Sequence, residues 1–296
     1  MIFTVVIPVY NSAKYIEKTL KSIESATELS DYEVLLIDDC SADIDDLEEV
    51  IKAFRNVSLI RKQVKSNAAD SRNIGILRSA SRYVFLLDSD DCYIPGSIDR
   101  RLTLHQKSKA GIIFGNFITQ LGDSEKKSIL PSYSSEDMRN YILVRKGDMR
   151  SSVISIDKEN YKNTLFDKAS KKHQDWIFAF KCWDNEESIQ LDEQYMTIIN
   201  IDRPSRMSSS LNVEASNYLY DKYLNDVKHI NGFARSNWRS MIYDKNNKAC
   251  KFFIHIYEPQ SKSDYLKYYL YKVLSNRAIL PFSSRAASKF RNRTFR

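Results

Sequence analysis

The chain has 296 residues, 45 Lys and Arg against 38 Asp and Glu, and 43% hydrophobic content. That length supplies one large domain or one and a half, with ample chain to bury a core. A 28% charged fraction and a negative mean hydropathy exclude an integral membrane protein, and no apolar run approaches the ~18 residues that a spanning helix needs.

The opening Met1-Ile2-Phe3-Thr4-Val5-Val6-Ile7-Pro8 is apolar at once, without a basic leader or a small-residue cleavage site, and reads as a mature, unexported N-terminus. Phe3 to Pro8 is expected to form a buried strand, being β-branched and continuous rather than alternating. Asn11-Ser12 then offers a helix cap, followed by Ile16, Leu20 and Ile23 at helical spacing. Glu33 to Ile37 reads as a second strand ending in Asp38-Asp39. Ile44, Leu47, Val50, Ile51 and Phe54 mark a second helix, Val57 to Ile60 a third strand, and Ile74 with Leu77 a third helix. Tyr83 to Leu87 is the fourth strand and ends in Asp88-Ser89-Asp90-Asp91. Strand and helix in alternation predict βαβ units and a mostly parallel sheet, whose ligands sit beyond the carboxyl ends of the strands. Both acidic clusters fall at that edge.

Further strands are expected at Gly111 to Thr119, Ser151 to Ile156 and within Ser188 to Ile201. From about residue 213 the alternation gives way to polar, aromatic-rich helical stretches. The predicted division is 1–212 for an α/β domain, then 213–296 as a basic helical C-terminal region. The last acid is Asp264. Lys267, Lys272, Arg277, Arg285, Lys289, Arg291, Arg293 and Arg296 follow it, so the tail holds more than the whole net charge of +7. Such a charge implies an anionic partner: nucleic acid, a membrane surface or a phosphorylated substrate. The tail reads either as a solvated helical cap or as a peripheral anchor with lysines on anionic headgroups and Tyr and Leu in the interface. No nucleic-acid module is recognisable, and the acidic crevice argues against one. Cys40, Cys92, Cys182 and Cys250 lie far apart, with no Cys or His at metal-ligand spacing, so the chain fits a reducing cytoplasm.

Asp88-Ser89-Asp90 has two readings: a solvated turn, or hard carboxylate ligands for a divalent cation with a diphosphate as co-ligand. Asp38-Asp39 reads as an Asx-turn or as an acceptor for a base N–H or ribose hydroxyl. His173-Gln174-Asp175-Trp176 reads as a helix start with Asp175 favourable near the dipole.

Four segments taken together narrow these readings: Val5-Val6-Ile7-Pro8-Val9-Tyr10-Asn11, Leu36-Ile37-Asp38-Asp39-Cys40-Ser41, Ser71-Arg72-Asn73-Ile74-Gly75, and Phe85-Leu86-Leu87-Asp88-Ser89-Asp90-Asp91. In this order and spacing they resemble the nucleotide-sugar-binding domain of the family 2 glycosyltransferases over residues 1–120, with a weaker extension to about 210. Cys40 and Ser81 depart from that pattern, standing where the family usually has glycine, as does Ala68-Ala69-Asp70 in place of a glycine-richer loop.

The resemblance implies a GT-A-like, Rossmann-type α/β fold, with a catalytic domain over 1–212 made of a nucleotide-binding half 1–120 and an acceptor half 121–212. It also implies a metal-dependent, inverting hexosyl- or N-acetylhexosaminyltransferase. Such an enzyme moves sugar from a UDP-sugar to a glycan or polyprenyl-diphosphate-linked acceptor in surface-polysaccharide synthesis, such as O-antigen or capsule. It is expected in the cytoplasm or on the inner face of the membrane. Carried over, Pro8, Tyr10 and Asp39 line the base and ribose pocket, Arg72 approaches the nucleotide, and Asp88 with Ser89 contacts the donor. Asp90 binds Mn²⁺ or Mg²⁺, Arg203 and Arg206 clamp the diphosphate, and Asp175 is the general base, with His173 and Trp176 beside the acceptor. The competing readings are another nucleotide-sugar enzyme, or a basic membrane- or nucleic-acid-binding module with a vestigial nucleotide site.

Overall fold

The structure is a computed structural model, and it describes residues 1–202, 211–276 and 279–280. The chain falls into two compact units. The first comprises residues 1–138 and 148–202; the second comprises 139–147 and 203–296.

The first unit is built on one mixed sheet in the order β3-β2-β1-β4-β8-β6-β9-β5, with β7 paired to β6. Its start is the βα alternation that the sequence predicts: β1 Phe3–Val9, α1 Ala13–Ala26, β2 Tyr32–Asp38, α2 Ile44–Ile51, β3 Val57–Arg61, α3 Ala68–Arg78 and β4 Tyr83–Leu86. These four strands are parallel. β1 and β4 are almost wholly buried, which is why they read as continuous apolar runs. Helix α1 buries Ile16, Leu20, Ile23 and Ala26 along one face. Helix α3 starts where the Asn67 side chain accepts the Asp70 amide.

Beyond β4 the sheet turns mixed. β5 (Cys92–Tyr93) and the hairpin partner β7 (Ser124–Ser128) are too short and too polar to show in the sequence pattern. α4 (Ser97–Ser108) leads into β6 (Ile112–Leu121), and β6 pairs antiparallel with β8 (Ser155–Asp157) and parallel with β9 (Ile189–Asn200). α5 (Gln174–Asp184) precedes β9. The stretch Ser151 to Ile156, expected as one strand, divides: Ser151–Val153 is a 3-10 turn and only Ser155–Asp157 is strand. The division has a physical cause, because the Ser151 and Ser152 hydroxyls leave the sheet to bond carboxylates. Ser12 also differs from its expected role as side-chain cap of α1. Its hydroxyl bonds the Tyr10 carbonyl and receives the Ser89 hydroxyl instead.

A buried cation ties β6, β8 and β9 together. Arg101, fully buried on α4, donates through Nε to Asp192 at 3.0 Å and through Nη1 to the Ile113 and Val153 carbonyls and Ser155 Oγ. A Cβ at Gly115 would lie 2.6 Å from Arg101 Nη2, so glycine is what lets the guanidinium reach β6. His105, one turn further along α4, bonds the Ala110 carbonyl through Nδ1 and Ser155 Oγ through Nε2.

The second unit contains α6 (Val213–Tyr223), α7 (Val227–Tyr243), α8 (Asn247–His255), α9 (Lys262–Leu274) and a π-helical turn at Asn140–Val144. Asn212, Asp226, Asn246 and Ser261 cap the four helices with their own side chains. Leu219, Phe233, Trp238, Met241 and Phe253 are buried in this unit.

His105 gives a pH test of the sheet. Burial, first, and then the nearby Arg101 charge push its imidazole down to about 4 from an ordinary 6.5. Below pH 6.5 the unfolded chain takes up a proton that the folded chain refuses. Stability therefore falls as pH drops from 6.5 towards 4, by about 2 kcal/mol per such histidine at pH 5. Urea unfolding of His105→Gln is expected to show a flatter loss between pH 7 and pH 5 than the parent; identical slopes would refute the buried-histidine account.

Candidate active site

The candidate site lies at the carboxyl edge of the parallel strands, and the loops there are clamped to one another. After β1, the Asn11 amide donates to Ser41 Oγ and Asn11 Oδ1 accepts the Ala42 amide. Asn11 and Cys40 both take left-handed backbone, φ 50 and 63, a region that strains side chains with a Cβ. At Cys40 this is the conformation for which glycine would be the easier choice. Asp38 accepts the amide of Ser41, three residues on, at 3.2 Å, one residue further than the expected Asx-turn would reach.

Asp39 faces a different environment. Its Oδ1 accepts Lys62 Nζ and the Ser66 amide, each at 2.7 Å, and Lys62 also lies 3.1 Å from Asp70. Asp70 in turn meets Lys168 at 3.3 Å. The Lys62 ammonium, only 7% exposed, thus holds the loops after β2 and β3 and the start of α3 together. Pro8 is half-buried at the end of β1, and Tyr10 is exposed, with Lys65 Nζ 3.6 Å above its ring.

Arg72 lies at the centre. It sits on the buried face of α3, where Nη2 is 2.5 Å from Asp88 Oδ1 and Nη1 donates to Gln174 Oε1 at 3.1 Å. Its Nε is buried without a hydrogen-bond partner. Burial opposes its charge, yet the Asp88 and then the Asp175 carboxylate outweigh burial and raise its pKa. Residues 72, 88 and 174 are distant in sequence, and one guanidinium joins the α3 helix, the acidic turn after β4 and the first turn of α5.

The three acids of that turn are not equivalent. A turn that leaves all three in solvent is the simple expectation for clustered like charges. The structure instead buries Asp91, which is 3% exposed. Asp91 Oδ2 accepts Ser152 Oγ at 2.5 Å and Oδ1 accepts the Asn200 amide at 3.0 Å. Burial, with Asp88 and Asp90 adding to it, raises its pKa well above the usual carboxylate range. The same Ser152 hydroxyl accepts the Asp88 amide. Ser89 is buried against Ser12 and α1. Asp88 and Asp90 remain half-buried, with the Asp88 side chain 38% exposed.

Asp175 stands in the first turn of α5 with Ser151 Oγ donating to Oδ1 at 2.7 Å. Burial raises its pKa, the Arg72 cation pulls it back, and Asp88 pushes it up again. His173 begins the helix in left-handed backbone, φ 60, its ring stacked on Trp176 at 5.3 Å. Burial and then Lys172 push His173 down to about 3, so it is neutral near pH 7. Trp176 Nε1 makes a long contact to Asp148 Oδ1 at 3.5 Å, and Asp148 Oδ2 takes Arg150 Nε at 2.8 Å. Arg150 also lies over the Phe117 ring at 4.6 Å. Arg203 and Arg206 lie outside the described residues.

The sequence assigns no site role to Lys62, Arg150, Ser151 or Ser152, and shows Gln174 only as part of the His173-Gln174-Asp175-Trp176 segment. Arg150-Ser151-Ser152 was legible as a polar triplet ahead of an apolar run. Lys62 carried no local signal, and nothing local ties Gln174 to Arg72, because their partners are 23 and 102 residues away.

An acidic turn and a helix-borne carboxylate, tied to one buried arginine, thus stand at the edge of a βα sheet, and comparison with known proteins gives the class. The chain belongs to glycosyl transferase family 2, whose model matches residues 4–171. It is 28% identical over 190 residues to the amylovoran biosynthesis glycosyltransferase AmsB of Erwinia amylovora, a match covering 60% of this chain and 63% of AmsB. It is also 28% identical over 259 residues to the poly(ribitol-phosphate) β-N-acetylglucosaminyltransferase TarP of Staphylococcus aureus strain N315, covering 83% of this chain and 75% of TarP. In fold it is similar to S. aureus TarS 1–349 in complex with UDP-GlcNAc, with TM-score 0.65, 16% identity, and coverage of 97% of this chain and 92% of that one. The mannosyltransferase PcManGT of Pyrobaculum calidifontis, in complex with GDP-Man and Mn²⁺, superposes with TM-score 0.51 at 12% identity, over 97% of this chain and 73% of that one. The GT-A fold is therefore that of this chain.

The packing that holds Arg72 in place can be tested. A Cβ at Gly75, one turn along α3, would lie 2.1 Å from Val6 Cγ1 on β1. Gly75→Ala should lower stability by about 1–3 kcal/mol in urea unfolding, and adding Val6→Ala should recover part of that loss. A neutral Gly75→Ala would show that α3 does not seat this closely on β1.

Proposed function

We propose that the chain is an inverting glycosyltransferase that moves a hexose or N-acetylhexosamine from a nucleotide diphosphate sugar, a UDP-sugar, to an acceptor hydroxyl. The acceptor is a glycan or a polyprenyl-diphosphate-linked chain of a bacterial surface polysaccharide. Amylovoran and poly(ribitol phosphate), in the names of the relatives, support that acceptor class, as the UDP-GlcNAc in the TarS complex supports the donor. The observation that carries the reading is the bridge from Arg72 to Asp88 on one side and to Gln174, next to Asp175, on the other. It couples a turn suited to a nucleotide diphosphate to a carboxylate suited to proton abstraction.

In this reading Pro8, Tyr10 and Asp39 line the base and ribose pocket, and Asp88 and Ser89 contact the donor. Asp90 would hold Mn²⁺ or Mg²⁺. Among the described residues no three His, Cys, Asp or Glu side chains gather into a metal-holding group. The half-buried carboxylates of Asp88 and Asp90 nevertheless fit a hard cation, which accepts one or two carboxylates when phosphate oxygens complete its shell. Such a cation, when bound, neutralises charge growing on the departing diphosphate. Arg72 adds fixed positive charge on the same side.

Asp175 takes the proton of the acceptor hydroxyl as its oxygen bonds to the anomeric carbon and the bond from that carbon to the diphosphate oxygen breaks. Attack from the face opposite the leaving group inverts the centre. Burial makes Asp175 a stronger base than an exposed aspartate, and Ser151 fixes which oxygen is free to point at the acceptor. His173, neutral and stacked on Trp176, offers with it a flat face for the acceptor ring. Arg203 and Arg206 would clamp the diphosphate. A polyprenyl-linked acceptor would be met at an anionic membrane face on the cytoplasmic side.

The test is hydrolysis and transfer from a panel of UDP-sugars with Mn²⁺, followed by two variants. Asp175→Asn is expected to keep UDP binding and lose turnover by roughly 10²–10⁴-fold; near-normal turnover would remove Asp175 from the base role. Asp90→Ala is expected to abolish the Mn²⁺ dependence of UDP binding, and metal-dependent binding that survives would move the cation elsewhere. In the parent, activity should rise with pH through an Asp175 ionisation lying above that of an ordinary aspartate.

A further inference from the structure

Helix α9 is amphipathic the wrong way round for a globular unit. Its inner face packs by Tyr271 against Trp238, ring centroids 4.4 Å apart, and by Tyr268 against Tyr257 at 6.1 Å. Its outer face carries Tyr265, Leu266, Tyr269, Leu270 and Val273, with Leu266 74% exposed and the other four just over half exposed. At 3.6 residues per turn these five share one arc of about 140°, and none of the helix's residues is fully buried. A surface helix ordinarily turns such a stripe inward.

The charges around the stripe have one sign. Lys262 lies within the arc, and Lys267 and Lys272 border it on either side, all three exposed. The one acid of the helix, Asp264, is only 18% exposed and points to Arg235 at 3.7 Å. Beside the stripe, Lys251, Phe252, Ile254, His255, Tyr257, Tyr268 and Lys272 line a shallow cleft between α8 and α9. Three aromatic rings and two lysines are among its lining residues, and Lys272 Nζ lies 5.4 Å from the Tyr268 ring centre. No acid follows Asp264 in the sequence.

We propose that the outer face of α9, with the α8–α9 cleft, is a docking surface for an anionic lipid bilayer. Leu266, Tyr269, Leu270 and Val273 enter the headgroup–acyl boundary, while Lys251, Lys262, Lys267 and Lys272 meet headgroup phosphates. The charge pattern selects this occupant. Two copies of a lysine-bordered stripe repel each other across a symmetric contact. Aliphatic Leu and Val at the stripe's centre suit acyl chains rather than stacked bases. The surface gives a partner to the glycosyltransferase reading, yet binding is measurable without donor, so the two readings stand or fall separately.

The experiment is co-sedimentation of the full chain with vesicles of phosphatidylcholine alone or mixed with an equal amount of phosphatidylglycerol. Binding is expected to the mixed vesicles and to weaken with salt. Leu266→Ser with Leu270→Ser should weaken it roughly tenfold, and Lys251→Gln or Lys272→Gln roughly fivefold each. UDP-sugar hydrolysis in vesicle-free buffer should be unchanged in all of them. Equal binding to neutral vesicles, binding unaffected by the Leu variants, or light scattering that shows an oligomer dissolved by those variants would each overturn the proposal. Loss of hydrolysis in the parent with vesicle binding intact would count against the transferase reading alone.

Discussion

The candidate site depends on a single desolvated guanidinium. Arg72 is buried, so its charge has to be matched by acceptors fixed in place, and those acceptors come from segments far apart in the sequence. Asp88 brings the turn that follows β4, and Gln174 brings the helix on which Asp175 rides. Removing water from such a group makes each of its contacts stronger and each missing one more costly. The positions of Asp88 and of Gln174, next to Asp175, are thereby linked: neither can shift without leaving part of Arg72 unsatisfied. The same cation tempers the rise that burial imposes on the Asp175 carboxyl.

The sheet beneath uses this device again. Arg101 joins β6, β8 and β9 from inside the core, and Asp91 is held by a hydroxyl and an amide from two other segments. Buried ions seldom add net stability over apolar packing, but breaking one side of such a pair is destabilising. Their effect here is to fix register where antiparallel strands enter a parallel sheet. The acidic turn after β4 is divided by this arrangement into one buried carboxylate, Asp91, and two half-buried ones, Asp88 and Asp90. The glycosyl transferase family 2 match and the GT-A fold supply the class of chemistry. The roles of individual residues rest on these contacts.

The helical unit follows a different rule. It has its own buried set, from Leu219 to Phe253, and each of its four long helices begins with a side-chain cap. Its last described helix spends only one face on that core. The other face is apolar, lysine-bordered and exposed, a combination that water alone does not favour.

Much of this was legible in the chain itself. The run Phe3 to Val9 had to be a buried strand, because a continuous β-branched segment that short is soluble only when both faces are covered. The βα alternation to residue 86, the acidic ends of β2 and β4 and the helix opening at Gln174 follow from local periodicity. The mixed half of the sheet did not follow, since β5 has two residues and β7 is polar, and both exist only because β9 and β6 offer them backbone partners. Nor did the sequence reveal which acid of Asp88-Ser89-Asp90-Asp91 turns inward. That choice belongs to Ser152 and Asn200, which are 61 and 109 residues from Asp91. Local sequence thus determined the elements and the chemistry available at their ends. Only the tertiary structure decided which charges are buried together, because desolvation is a property of the packed interior and has no counterpart along the chain.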